Sequence, residues 1–139
     1  MKYTIGIDPG THTGLAVRNL ETDEMQLFTM KIHQALDFVR ERKGEIKVLV
    51  IENPNLWTHF KDTKNARSRL QGAGSIKRDF SIWEDFLTEH KIKFRTTRPD
   101  KQRNQLAEHT ELFARMTGYK ERSSHHARVA ALLIEGVKK

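Results

Sequence analysis

Short apolar runs of strand character come first along the chain, and stretches of helical period follow. Tyr3 to Asp8 sets Ile5 and Ile7 between small or polar residues and stops at the turn pair Pro9-Gly10. Gly14 to Leu20 and Glu24 to Met30 resume the strand pattern across short loops, which predicts an antiparallel meander. The period then changes. Ile32, Ala35, Leu36 and Val39 predict a helix over 32–42, with Gly44 as its stop. Ile46 to Ile51 is a nearly continuous β-branched run, as in a strand covered on both faces.

The second half is mostly helical. Asn53 to Asn65 is polar, with an aromatic cluster at Trp57, His59 and Phe60, and reads as a loop. Leu70, Ala73, Ile76, Phe80, Trp83 and Leu87 then predict a long helix that contains Gly72 and Gly74. Ile92 to Thr96 predicts a strand, and 106–116 and 127–137 predict two helices separated at Gly118. Three meander strands followed by β-α units predict an α/β domain over residues 1–139. Its sheet would be mixed and five-stranded, three strands in the antiparallel meander and two parallel, with helices on both faces.

Composition narrows the class. The 139 residues contain no cysteine, which excludes a disulfide framework, a thiolate metal site and a cysteine nucleophile. No apolar run reaches the length of a membrane span and no signal pattern opens the chain, so a cytoplasmic domain is expected. The net charge is +7, and its distribution is uneven. Residues 1–52 carry 7 basic and 8 acidic side chains, and residues 53–139 carry 18 and 10. A surplus confined to the later part points to a polyanionic partner.

Three positions carry candidate chemistry. Asp8 ends the first strand and Glu52 ends the apolar 46–51 strand. Two acids at neighbouring strand ends repel each other, and a divalent cation between them resolves the repulsion. His125 and His126 open the last helix, with Ser124 as its N-cap, and one of the two can join the acids as a ligand. The small residues Ala127, Ala130 and Ala131 behind them let that helix lie close to a sheet.

These segments resemble one family. IGIDPGTHTGLAV (5–17), VLVIENP (48–54), RLQGAGSIKRDFSIWEDFL (69–87) and HARVAALLI (126–134) are similar, in that order, to motifs of RuvC-type Holliday junction resolvases of the short phage and bacterial branch. The predicted element order is that of the RNase H-like fold to which they belong. IGIDPGT also resembles the phosphate loop of the sugar-kinase superfamily, whose two lobes need a far longer chain.

The resemblance implies Mg²⁺-dependent cleavage of branched double-stranded DNA, specifically four-way junctions, by a symmetric homodimer in the cytoplasm of a bacterial or phage-infected cell. Mn²⁺ is an alternative cofactor. It places metal ligands at Asp8, Glu52 and His126 and a phosphate-stabilising lysine after the last strand, for which Lys101 is the candidate and Arg98 the second choice. At the family's final aspartate position stands Val129, which cannot coordinate a metal. A catalytically weakened DNA-binding module, and a nuclease for another branched or hybrid nucleic acid, therefore remain as alternatives. Lys61, Lys64, Arg67, Arg69, Lys77, Arg78, Arg98, Lys101 and Arg128 are the candidate phosphate contacts, and Trp57 or Phe60 a candidate wedge at the junction centre. Leu70, Ile76, Phe80, Ile82, Trp83, Phe86 and Leu87 cover more than one stripe of the long helix, so part of it is expected to pair with a second copy.

Overall fold

In the computed structural model the described residues are 1–56 and 66–137, with backbone alone for 66–73. The strands are β1 (Tyr3–Asp8), β2 (His12–Asn19), β3 (Met25–Lys31), β4 (Ile46–Glu52) and β5 (Phe94–Thr97). The helices are α1 (Ile32–Glu41), α2 (Ala66–Glu89), α3 (Lys101–Glu108), α4 (Thr110–Thr117) and α5 (His125–Glu135). The expected α/β architecture is present: one mixed sheet of five strands in the order β3-β2-β1-β4-β5. β1, β2 and β3 pair antiparallel, and β4 joins β1 and β5 in parallel.

Alternation along β1, β2 and β4 divides the core into two layers. On one face Ile5, Ile7, Leu15, Val17, Leu49 and Ile51 pack with Ala35 and Val39 of α1 and with Phe80, Trp83 and Leu87 of α2. On the other face Ala16 and Val50 pack with Ala130, Ala131, Leu133 and Ile134 of α5 and with Phe113 of α4. The side chains here are small, and the helix lies very close. A Cβ added at Gly6 would sit 2.1 Å from the Ala130 carbonyl oxygen, and one at Gly14 would sit 2.1 Å from that of His126. Arg18 of β2 holds the far end of α5 through Glu135 at 2.8 Å.

Several element boundaries differ from the pattern reading by one or two residues, and two regions differ for a clear physical reason. The helix expected over 106–116 is two helices, α3 and α4, that meet at His109. The His109 imidazole accepts from the Leu112 N–H at 3.2 Å, so a side chain caps a new helix where the apolar period continues. The strand expected from Ile92 begins at Phe94, with Ile92 buried ahead of it. Trp57, Phe60, Lys61 and Lys64 lie outside the described residues, as do the side chains of Arg67, Arg69 and Leu70. No helix among the described residues is long and apolar enough to cross a membrane.

Candidate metal and nucleic-acid site

Parallel pairing of β1 with β4 sets Ile7 beside Ile51, so the next residues, Asp8 and Glu52, end their strands as neighbours. Both acids fall on the α5 face, two residues beyond Gly6 and Val50. That face is where the glycines let α5 approach, and its first turn delivers His126 to Asp8. The His126 Nδ1 and Asp8 Oδ2 lie 3.0 Å apart in a hydrogen bond. Ser124 fixes the helix start by accepting from the Ala127 N–H at 3.1 Å. The β1–β2 turn is stiffened as well, because the buried Thr13 hydroxyl donates to the Gly10 carbonyl at 2.8 Å. A cavity of about 270 Å³ opens over this group, lined by Asp8, Gly10, Thr11, His12, Glu52, Ile76, Pro99 and His126 among others.

Glu52 has a partner the pattern reading missed. Arg103 Nη1 donates to Glu52 Oε2 at 3.1 Å and to the Arg98 carbonyl at 3.2 Å. Both side chains of this pair are largely buried. The signal lay at Asp100, whose side chain accepts from the Gln102 N–H at 2.8 Å and caps α3. An aspartate cap after Pro99 starts the helix at Lys101 and puts Arg103 on its first turn, whereas the apolar period alone starts the helix at Leu106.

The electrostatics follow from burial. Desolvation, then the charge of Asp8, pushes the Glu52 carboxyl up to about 7 against the pull of Arg103. The hydrogen bond to Asp8 raises His126 above the ordinary imidazole value, against partial burial. Both groups therefore hold protons more firmly in the fold than in the unfolded chain. Glu52 stabilises the fold fully below its unfolded value of 4.5, and that contribution is lost as pH rises through about 7. Ionising Glu52 inside the fold costs on the order of 3 kcal/mol. His126 acts with the same sign: its contribution is present below 6.5 and is lost as pH rises through its folded value. Without divalent cations the melting temperature is expected to fall from about pH 5 to about pH 8, and Mn²⁺ or Mg²⁺ to restore more of it at the upper end, where ligands need not shed protons. Melting curves with and without cation check this, and a flat profile would contradict the buried-acid description.

No protein-family model matches the chain, and no curated protein matches it. The site therefore rests on its own geometry.

The remaining candidates are distributed as follows. Lys101 is exposed at the start of α3 and lies outside the cavity lining, and Arg98 is exposed ahead of it. Arg78 of α2 reaches Ser75 Oγ at 3.2 Å and lies 3.7 Å from buried Asp79, with Lys77 beside it on the helix. His125 stays beside His126, ring centroids 6.0 Å apart, and it is His126 that meets Asp8. The Arg128 Nε donates to the Ala107 carbonyl and its Nη1 to the Ser123 carbonyl, so it ties the end of α3 to the segment ahead of α5. Val129 is buried, 1% exposed.

Two carboxylates and an imidazole are hard and borderline donors, a set that fits Mg²⁺ or Mn²⁺. As placed, no three His, Asp or Glu side chains among the described residues come together closely enough to hold a metal ion.

Proposed function

We propose that the protein is a structure-selective endonuclease that hydrolyses phosphodiester bonds in four-way DNA junctions with Mg²⁺ or Mn²⁺, on an RNase H-like fold. One observation carries this reading: Asp8 and Glu52 end adjacent parallel strands side by side, His126 is hydrogen-bonded to Asp8, and all three line one cleft. The strand order, with its antiparallel meander and parallel pair, fits the same reading.

Asp8 and Glu52 would hold the cation, and His126 either completes the set or orients Asp8 through their hydrogen bond. A cation bound there supplies an activated water and neutralises charge building on the phosphate. In the reaction water adds at phosphorus and one P–O ester bond breaks. Arg103 sets the direction of the Glu52 carboxylate and keeps a fixed positive charge beside it. Lys101, Arg98, Lys77 and Arg78 supply positive charge on the α2 and α3 side, where phosphate contacts set position without reading sequence.

A homodimer through α2 belongs to this proposal. The described part of the helix buries Phe80, Trp83 and Leu87 and leaves Ile76 and Ile82 exposed. Ile76 faces the cavity and Phe86 packs against the core, so Ile82 is the described exposed apolar position of α2 left for a second copy.

The test is a synthetic four-way junction labelled on each arm, incubated with Mg²⁺ and separately with Mn²⁺. Paired nicks across the branch point are expected, and no cleavage with either cation would sink the proposal. Buried Val129 favours a second reading, a binding module with weakened catalysis. Under the first reading Val129→Asp lowers the melting temperature through a poorly solvated carboxylate and leaves cleavage no faster. Cleavage that rises in that variant would support the second.

A further inference from the structure

Lys31 and His12 flank the cleft on the side away from Arg103, within the part of the chain that has no basic surplus. β2 and β3 pair in a register that sets His12 opposite Lys31, one step beyond Thr13 and Met30. Their face follows from alternation. Gly14 of β2 lies against the His126 carbonyl and Arg18 pairs with Glu135, both on the α5 face. His12 precedes Gly14 by two residues and shares that face. Thr29 of β3 pairs with Gly14 in register, and its hydroxyl meets that of Ser124 at the cap of α5. Lys31, two residues on, shares the face as well.

The helix begins at His125 and covers this face only as far as Gly14. His12 and Lys31 therefore emerge just past its first turn, both exposed. Among the described residues neither side chain has an ion-pair partner. A lysine facing a histidine across a strand pair finds no opposite charge in its neighbour, and an anion seated between them would give both side chains a partner. His12 also lines the cavity that holds Asp8 and Glu52, so the surface continues from the acids without a break.

We propose that His12 and Lys31 grip a backbone phosphate of the nucleic-acid strand as it leaves the acidic centre, on the flank opposite Arg103. This rests on the nuclease reading and adds to it the path of the strand. A phosphodiester chain fits both ends of the path: one phosphate at the acids, where a cation is needed, and a neighbouring one on the lysine and the imidazole N–H. Phosphate gripped in this way positions the strand and carries no sequence information.

The experiment measures binding of a fluorescent four-way junction in EDTA over a range of salt, for the native protein, Lys31→Glu, His12→Ala and Lys43→Glu. Lys43 is exposed at the opposite end of the sheet, in the 3₁₀ turn ahead of β4, and serves as the charge control. Lys31→Glu is expected to weaken binding roughly tenfold at low salt and to reduce the slope of log K against log salt by about 1, with a smaller loss for His12→Ala. Melting curves establish that each variant is folded. Junction binding by the native protein with Lys31→Glu and His12→Ala no weaker than Lys43→Glu would overturn the inference and leave the nuclease reading standing. No junction binding by the native protein would overturn both.

Discussion

Asp8→Asn is expected to abolish junction cleavage in Mg²⁺ and in Mn²⁺ while junction binding survives. Asparagine keeps the shape of the side chain and a hydrogen bond to His126, but removes the negative charge that would hold a cation beside Glu52. Several kcal/mol of charge stabilisation is at stake, so the expected loss in rate is about a thousandfold or more. Binding relies on basic residues elsewhere and is expected to hold or tighten, because one acid facing the phosphates is gone. The substitution has a second readout that needs no substrate. The Asp8 charge is the second cause, after burial, of the raised Glu52 value. Its removal should bring Glu52 closer to the ordinary carboxylate range and flatten the fall of melting temperature with pH. Cleavage that persists in Asp8→Asn would remove Asp8 from the chemistry. A pH profile identical to that of the native protein would remove the coupling to Glu52.

Gly14→Ala should be the most damaging small substitution outside the acids. The added Cβ would stand 2.1 Å from the His126 carbonyl oxygen, 2.2 Å from its carbon and 2.8 Å from the Ala127 nitrogen. Backbone atoms cannot turn aside as a side-chain tip can, so the first turn of α5 must lift. Overpacking of this kind costs about 1–3 kcal/mol, and more where backbone meets backbone. The lift also draws His126 away from Asp8, so activity is expected to fall further than stability. Gly74→Ala is the control. A Cβ there meets nothing within 4 Å among the described residues, and α2 should gain up to about 1 kcal/mol from the better helix former. Urea titrations of both variants, paired with cleavage rates at a temperature where both are folded, separate the two effects. Equal stability in the two variants would contradict the close approach of α5.

The element order was legible in the sequence because it depends on local periods. The β-branched run 46–51 and the Pro9-Gly10 turn each declare their structure within a few residues. The same holds for the acids, since Asp8 and Glu52 each stand at the end of an apolar run and are costly there without a partner. The division of 106–116 into α3 and α4 was not legible, because the apolar period runs on through His109 and only the side-chain cap interrupts it. Arg103 was hidden for a related reason. Its role needs both the aspartate cap that starts α3 at Lys101 and the packing that brings that helix to the end of β4. The role of Arg128 was hidden as well. Nothing local in the sequence announces that its Nε and Nη1 join the carbonyls of Ala107 and Ser123 and so tie α3 to the start of α5.

The sequence by itself determined the strands and most of the helices, the two acids, the absence of any thiolate ligand, and a basic surplus confined to residues 53–139. Tertiary structure alone decided which groups meet. The parallel register of β1 and β4 set Asp8 beside Glu52, and the bare backbone at Gly6 and Gly14 let α5 descend until His126 reached Asp8. The β2–β3 register put His12 against Lys31 in a segment whose charge count had promised nothing. The physical reason is one of range. Period and turn chemistry act over a few residues and are written locally, whereas register and close approach join positions far apart in the chain and exist only once the sheet has formed.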